Sequence, residues 1–262
     1  MTAATGTRPA VDASRFRRSS WQAVAAAALI GVAGWQLIVW MSDGWVPGLD
    51  EIGVAVVENL TNVDTYTGAL ITLRRLGIAF VGSTVIGVVL GFLMGLLPSF
   101  DAFWRPLVVT GLAIPDPVYF IVAILILGTA ETVSLLALTL AVVPFVTMIV
   151  LGAVGSRDRG LDEMAKVYRL SRSRYLTDVV GRQLVPGLFA AARTSFAFSW
   201  KIVVLMEALT QSNGIGFQIY NAFRLLRPYD MIALAIIFIL IMQIIERAVF
   251  AAAEKRLLAW QR

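Results

Sequence analysis

The sequence predicts an all-α, polytopic membrane protein with six transmembrane helices. Three observations carry that expectation. Of its 262 residues 58% are hydrophobic and 15% charged, with a mean hydropathy of +0.79, whereas soluble domains are about 45–50% apolar and about 25% charged. The apolar residues gather into runs of roughly 20, the length that crosses a hydrocarbon core. The charges between the runs segregate by sign, as loops on opposite sides of a bilayer do. An ordinary soluble enzyme is thereby excluded.

The chain contains no His and no Cys. Disulfides, Cys-ligated zinc or iron–sulfur centres, His-ligated haem and His-based catalysis are excluded with them, and no cofactor is expected. The net charge of +5 and pI near 9.9 are read as cytoplasmic loop charge facing a lipid bilayer. No basic, aromatic-bearing segment is long enough for nucleic acid, so none is expected as a partner.

Residues 1–20 hold Arg8, Arg15, Arg17 and Arg18 and few large apolar side chains; they are expected to be a frayed cytoplasmic tail, with residues 21–262 forming one transmembrane domain. The first run, Trp21 to Met41, is too long for a signal-peptide core of about 7–15 residues and reads as an uncleaved span. Residues 42–68 carry Asp43, Asp50, Glu51, Glu58 and Asp64 without Lys or Arg, and leave room for a short amphipathic helix on the outer surface. The second span is placed at Leu73–Leu97, with Arg74 and Arg75 at its outer end reaching to the headgroups. The third, Pro106–Gly128, is interrupted by Pro115-Asp116-Pro117, and the fourth, Thr132–Gly152, contains Pro144. The segment 153–186 holds seven basic residues and is the strongest cytoplasmic loop. Gly187–Leu209 and Met231–Phe250 complete the six spans, ahead of a basic tail with Lys255, Arg256 and Arg262. Six spans put the acidic loop outside, the basic loop inside and both termini in the cytoplasm.

Gly87, Gly91 and Gly95 recur every fourth residue and share one helical face, where another backbone can approach closely. Pro115 and Pro117 must break or bend the third span, and such breaks survive at membrane depth only inside protein or beside a wet cavity. Asp116 between them is either a cap on the second half-helix or a polar group facing a solute path. Lys201 and Glu207 lie in the fifth span, where a charge costs about 2.5–3.5 kcal/mol to insert. Six residues apart, they do not stack on one helix face. Lys201 suits either a small anion or backbone carbonyls; Glu207 suits an outer-loop hydrogen bond or solute contact. Gly160–Tyr175 is predicted as one amphipathic helix, with Leu161, Met164, Ala165, Tyr168 and Leu170 among its apolar members. A second helical piece, Leu176–Val185, is expected to end at Pro186.

Read together and in order, TLRRLGIAFVGSTVIGVVLGFLMGL, PDPVYF with the following LILG, RDRGLDEMAKVYRLSRSRY with Pro186, and SWKIVVLMEAL with NGIGFQIYNAF resemble the permease subunit of binding-protein-dependent ABC importers. The resemblance covers about residues 70–260 and points to the nitrate, sulfonate and taurine branch. It implies a type I importer permease fold in a bacterial inner membrane, with a cytoplasmic coupling helix between the fourth and fifth spans. It further implies ABC ATPase subunits, a second permease subunit and an extracytoplasmic solute-binding protein as partners. Glu163, Met164 and Ala165 fall on the family's Glu-Ala-Ala positions, and with Tyr168, Arg169, Leu170 and Pro186 form the implied ATPase contact. Arg169 stands where the family has Gly, and Gly181-Arg182 where it has Leu-Pro. These departures predict an altered loop geometry, and either a homodimer or a heterodimer with a less diverged permease.

Asp116, Tyr119, Trp200, Lys201 and Glu207 are the candidates for the translocation path. No G-x-x-x-x-G-K-[ST] loop occurs in the sequence, so ATP hydrolysis is assigned to a partner and no catalytic residue is expected. An ATP-independent channel or transporter is the alternative. A membrane-embedded enzyme is disfavoured by the dispersal of Asp116, Lys201 and Glu207.

Overall fold

The computed structural model describes residues 13–42 and 45–257. Residues 1–12 of the expected tail, Asp43 of the acidic loop and Arg262 lie outside the described residues. The chain divides into two compact units, residues 1–54 and 55–262.

The first unit contains α1 (Ala13–Met41). Residues 13–20, expected to fray, are its first two turns. Trp35 Nε1 donates to the Pro47 carbonyl at 3.2 Å, fixing the turn that follows the helix. The amphipathic helix expected in the acidic loop is present as α2 (Leu49–Thr61), with Asp50 and Glu51 in its first turn, where the helix dipole favours negative charge.

The second unit is built on α3 (Val63–Leu96), whose Asn62 cap accepts the Asp64 N–H. This helix is 34 residues long and begins ten residues before the expected span, because the polar stretch 63–72 continues it rather than forming loop. Next come α4 (Pro98–Ala113), α5 (Asp116–Leu127) and α6 (Glu131–Gly155). The glycine face of α3 packs on α6. A Cβ on Gly91 would stand 2.5 Å from the Thr147 carbonyl and 2.8 Å from Val150 Cβ; Gly87 meets Val146 and Gly95 meets Val154 in the same way. Contacts pairing 87 with 146, 91 with 150 and 95 with 154 run in one direction, so α3 and α6 are parallel. The chain must therefore return between them, and the α4–α5 pair, bent by 103° at Pro115, carries it back. Among the described residues five helices are long and apolar enough to cross a membrane, and the bent pair makes six if it counts as one span.

After α6 the segment 156–171 holds α7 (Arg159–Val167), capped by the Asp158 side chain on Gly160 N–H. A long helix, α8 (Arg172–Thr210), then crosses back. Its Ser195 bonds Ser83 and Thr84 of α3 at 3.0 and 2.9 Å, and its Phe198 ring stacks on Phe145 of α6. A Cβ on Gly187 would overlap Ala153 of α6. Finally α9 (Ile215–Arg224) and α10 (Pro228–Leu257) follow. The buried core runs along α3, α6, α8 and α10 through Leu76, Leu138, Val142, Val203, Met206 and Met242.

Two expectations for 160–186 change. The single helix predicted over 160–175 ends at Tyr168, because Arg169 adopts φ +49°. Leu170 N–H then donates to Ala165 O at 3.0 Å and Arg169 N–H to Lys166 O at 3.1 Å, the paired bonds that satisfy a helix C-terminus around a left-handed residue. Glycine is the usual occupant of that position, and the turn forms here with arginine. Nor does the second helical piece end at Pro186. Helix α8 runs through it, α-helical from Arg182 onward, after a wide π-helical turn over Tyr175–Gly181.

Candidate functional site

At the end of the second unit opposite α7, one arginine gathers four elements. Arg75, 2% exposed, donates to Glu207 Oε1 of α8 at 2.7 Å and through Nε to Glu131 of α6 at 2.8 Å. It also reaches the Asn213 carbonyl at 2.9 Å, Asn213 Oδ1 at 2.6 Å and Gln211 Oε1 at 3.2 Å. Glu207 is fully buried and accepts from Thr72 Oγ1 at 2.8 Å and from Gly216 N–H at 2.9 Å. Thr72 Oγ1 in turn accepts from Ile215 N–H at 2.9 Å. Gly214 sits at φ +100°, and a Cβ there would collide with the Glu207 carboxylate; only glycine lets the 211–216 turn lie on the clamp.

This corrects the expectation that Arg75 reaches to the headgroups. Arg75 turns inward because two carboxylates of other helices, Glu131 and Glu207, are there to neutralise it. Arg74 remains exposed and pairs with Glu131. Sequence reasoning does not assemble Arg75, Thr72 and Glu131 into a site. A signal for it exists all the same: Arg75 and Glu207 both fall inside apolar runs, and ionisable groups there pair rather than face lipid.

The break in the third span has its own geometry. The carbonyl of Gly111 would accept from the amide of residue 115, but Pro115 has none. Tyr119 Oη donates to that carbonyl at 2.9 Å, so the hydroxyl of α5 satisfies the acceptor that the proline orphans on α4. Asp116 does not cap: Pro115 holds the cap position without a side-chain bond, and Asp116 is the first residue of α5. Its carboxylate complements the helix dipole from there.

Lys201 lies on an exposed face of α8, with Nζ 5.9 Å from the Phe198 ring centroid and 5.8 Å from that of Trp200. Among the described residues no carboxylate is within ion-pair distance of it. The Trp200 ring also packs edge-on to Phe238 of α10, and among the described residues its buried Nε1–H has no partner. Among the described residues no hydrogen bond or ion pair joins Asp116, Tyr119, Trp200 or Lys201 to Glu207.

At the other end, α7 presents Leu161, Met164, Val167 and Tyr168 outward, the last two 78% and 74% exposed, while Ala165 is buried. Glu163 is exposed beside them. The helix is tied to α8 by Tyr175 Oη on Asp162 at 3.0 Å and by Asp158 N–H on Gln183 Oε1 at 2.7 Å.

Residues 84–257 match the family described as binding-protein-dependent transport system inner membrane component. The chain belongs to this family. It is 26% identical over 234 residues to a "Probable ABC transporter permease protein" of Brucella abortus, covering 88% of this chain and 92% of that protein. It is 24% identical over 189 residues to the taurine transport system permease protein of Escherichia coli, covering 72% and 68%. It is 23% identical over 155 residues to the nitrate import permease protein of Synechococcus elongatus, covering 59% and 55%. The fold resembles that of a chain of the MetNI methionine ABC transporter in an inward-facing conformation, with a TM-score of 0.58 at 19% identity over 72% of this chain and 95% of that one. The protein is a multi-pass inner-membrane permease subunit of an ABC importer.

Proposed function

We propose that this permease forms, with a second permease subunit, the path for a small anionic solute, and that an ATPase on the cytoplasmic side drives it through residues 160–186. The observation that carries the coupling role is the uncovered apolar face of α7, with Met164, Val167 and Tyr168 exposed. A lipid surface would also take such a face, but the ties from Asp158 and Asp162 to the start of α8 give it a mechanical connection that a surface helix does not need. Glu163, Met164, Tyr168, Arg169 and Leu170 form the contact around buried Ala165, and Pro186 shapes the entry into α8. The turn at Arg169 forms despite the missing glycine, which favours a second copy of this chain as the other subunit.

An anionic solute is supported by Lys201, a cation without an ion-pair partner among the described residues, and by relatives named for taurine and nitrate transport. Trp200 and Asp116 border the path, and the Tyr119 bond preserves the bend beside it. An extracytoplasmic binding protein delivers solute at the end opposite α7, and both termini lie in the cytoplasm.

The test is uptake and ATP hydrolysis by the complex in proteoliposomes. Glu163→Lys should preserve hydrolysis and lower uptake about tenfold or more, since a reversed charge at a docking face costs several kcal/mol; normal coupled uptake would refute the docking role. Uptake without ATP would favour an ATP-independent channel. In the same assay Lys201→Met should lower taurine or nitrate uptake while leaving hydrolysis intact, and unchanged uptake would remove Lys201 from the path.

A further inference from the structure

The end opposite α7 holds an open cavity of about 680 Å3, bordered by the end of α2, the start of α3, residues 212–214, α9 and the start of α10. Its walls carry Glu58, Asp64 and Asp230 against Arg227 alone. Among the described residues none of these four is in an ion pair. Two of the amides at its edge are turned to the chain itself: Asn59 Nδ2 donates to Ala55 O at 2.8 Å and to Asp230 at 3.4 Å, and Gln218 Nε2 donates to Asp64 O at 2.7 Å. The cavity carries a net excess of two negative charges, three carboxylates against one guanidinium. Such a surface repels an anion and attracts ammonium or guanidinium groups. Among the described residues no three acidic groups are close enough to hold a metal ion. Carboxylates spread around a cavity of this size suit several spaced basic side chains.

The floor of the cavity includes Asn213 and Gly214. Asn213 is held by Arg75, and the next two residues of the turn are held by Thr72 and Glu207. Anything seated in the cavity thus presses on backbone bolted to α8, six residues or about 9 Å along the helix from Lys201.

We infer that this cavity is the socket for a Lys/Arg-bearing segment of the extracytoplasmic binding protein, and that the Arg75–Glu207 clamp beneath it passes docking to α8. The inference rests on the importer reading above. Two charged features then serve different ends, an acidic socket for the delivering protein and a lone lysine deeper in for the anion it releases.

The test uses the complete importer in lipid nanodiscs and the binding protein that purifies with it, titrated over a range of salt. The combined variant Glu58→Gln, Asp64→Asn, Asp230→Asn should weaken binding about tenfold or more at low salt and flatten the salt dependence. Arg227→Glu should shift affinity the opposite way, which a merely misfolded variant cannot do. Wild-type affinity and salt slope in the combined variant would overturn the socket while leaving the importer reading intact. A wild-type complex that does not bind the protein at all would overturn that reading and the socket together. Spermidine that fills the cavity without competing with the binding protein would overturn the assignment of the occupant.

Discussion

Removing either member of the Arg75–Glu207 pair should destabilise the protein more than removing both. The pair is 2% and 0% exposed, with a 2.7 Å bond between them. Taking away one partner of a buried pair leaves an uncompensated charge, at a cost of about 3–5 kcal/mol, whereas replacing both by apolar groups is often neutral or stabilising. The two single variants are not equivalent here. In Glu207→Met, Arg75 keeps Glu131 and the Asn213 oxygens, so part of its charge remains neutralised. In Arg75→Met, Glu207 keeps only Thr72 and the Gly216 amide, two neutral donors for a full carboxylate, and this variant should fall nearer the upper figure. The double variant should melt above Arg75→Met, with a coupling energy of about 2 kcal/mol or more, at the upper end of what contacting residues show. Thermal unfolding of the detergent-solubilised permease, followed by loss of the monodisperse elution peak, measures all four corners of the cycle. Additive losses would refute the view that the two side chains neutralise one another.

Gly91→Leu should destabilise by about 1–3 kcal/mol or prevent assembly of α3 on α6, whereas Gly77→Ala, with nothing within 4 Å of its Cβ, should be neutral or stabilise by up to about 1 kcal/mol; the same melting assay separates them. Tyr119→Phe should cost about 1–3 kcal/mol by orphaning the Gly111 carbonyl. It should also raise the spread of distances between spin labels placed on α4 and α5, and an unchanged distribution would show that packing alone holds the bend.

Periodicity makes the apolar spans, the glycine face and the proline break legible in the sequence, because each depends on spacing within one element. Arg75 is not legible in that way. Its partners lie 56 and 132 residues away, and the nearby membrane surface offers a sufficient local explanation for it. The left-handed turn at Arg169 is hidden for a related reason. Intrinsic preference argues against arginine with positive φ at about 1–2 kcal/mol, but the two backbone bonds that close α7 and the burial of Ala165 outweigh it. Pro186 likewise reads as a stop until the π-helical turn upstream is known, and nothing in the residues 175–181 announces that turn.

The clamp also answers a question the glycine ladder raises. Gly87, Gly91 and Gly95 face Val146, Val150 and Val154, both at intervals of four. A ladder with identical spacing on both helices fits nearly as well after sliding by one step, a shift of about 6 Å along the axis. Close packing thus fixes the separation of α3 and α6 while leaving their register weakly determined. Arg75 and Glu131 occur once each, at the end of the same pair of helices. Sliding by one step would strip a buried guanidinium of its carboxylate and, through Asn213 and Glu207, pull the 211–216 turn off α8. Polar groups in a core are best attested in this use, as a mark that makes one alignment distinct from its near-equivalents. The arrangement places the register determinant beside the cavity lined by Asn213 and Gly214, at the far end of α8 from α7. Any movement that α7 imposes on α8 therefore acts on helices already locked in alignment, and displaces them as a body rather than letting them slip.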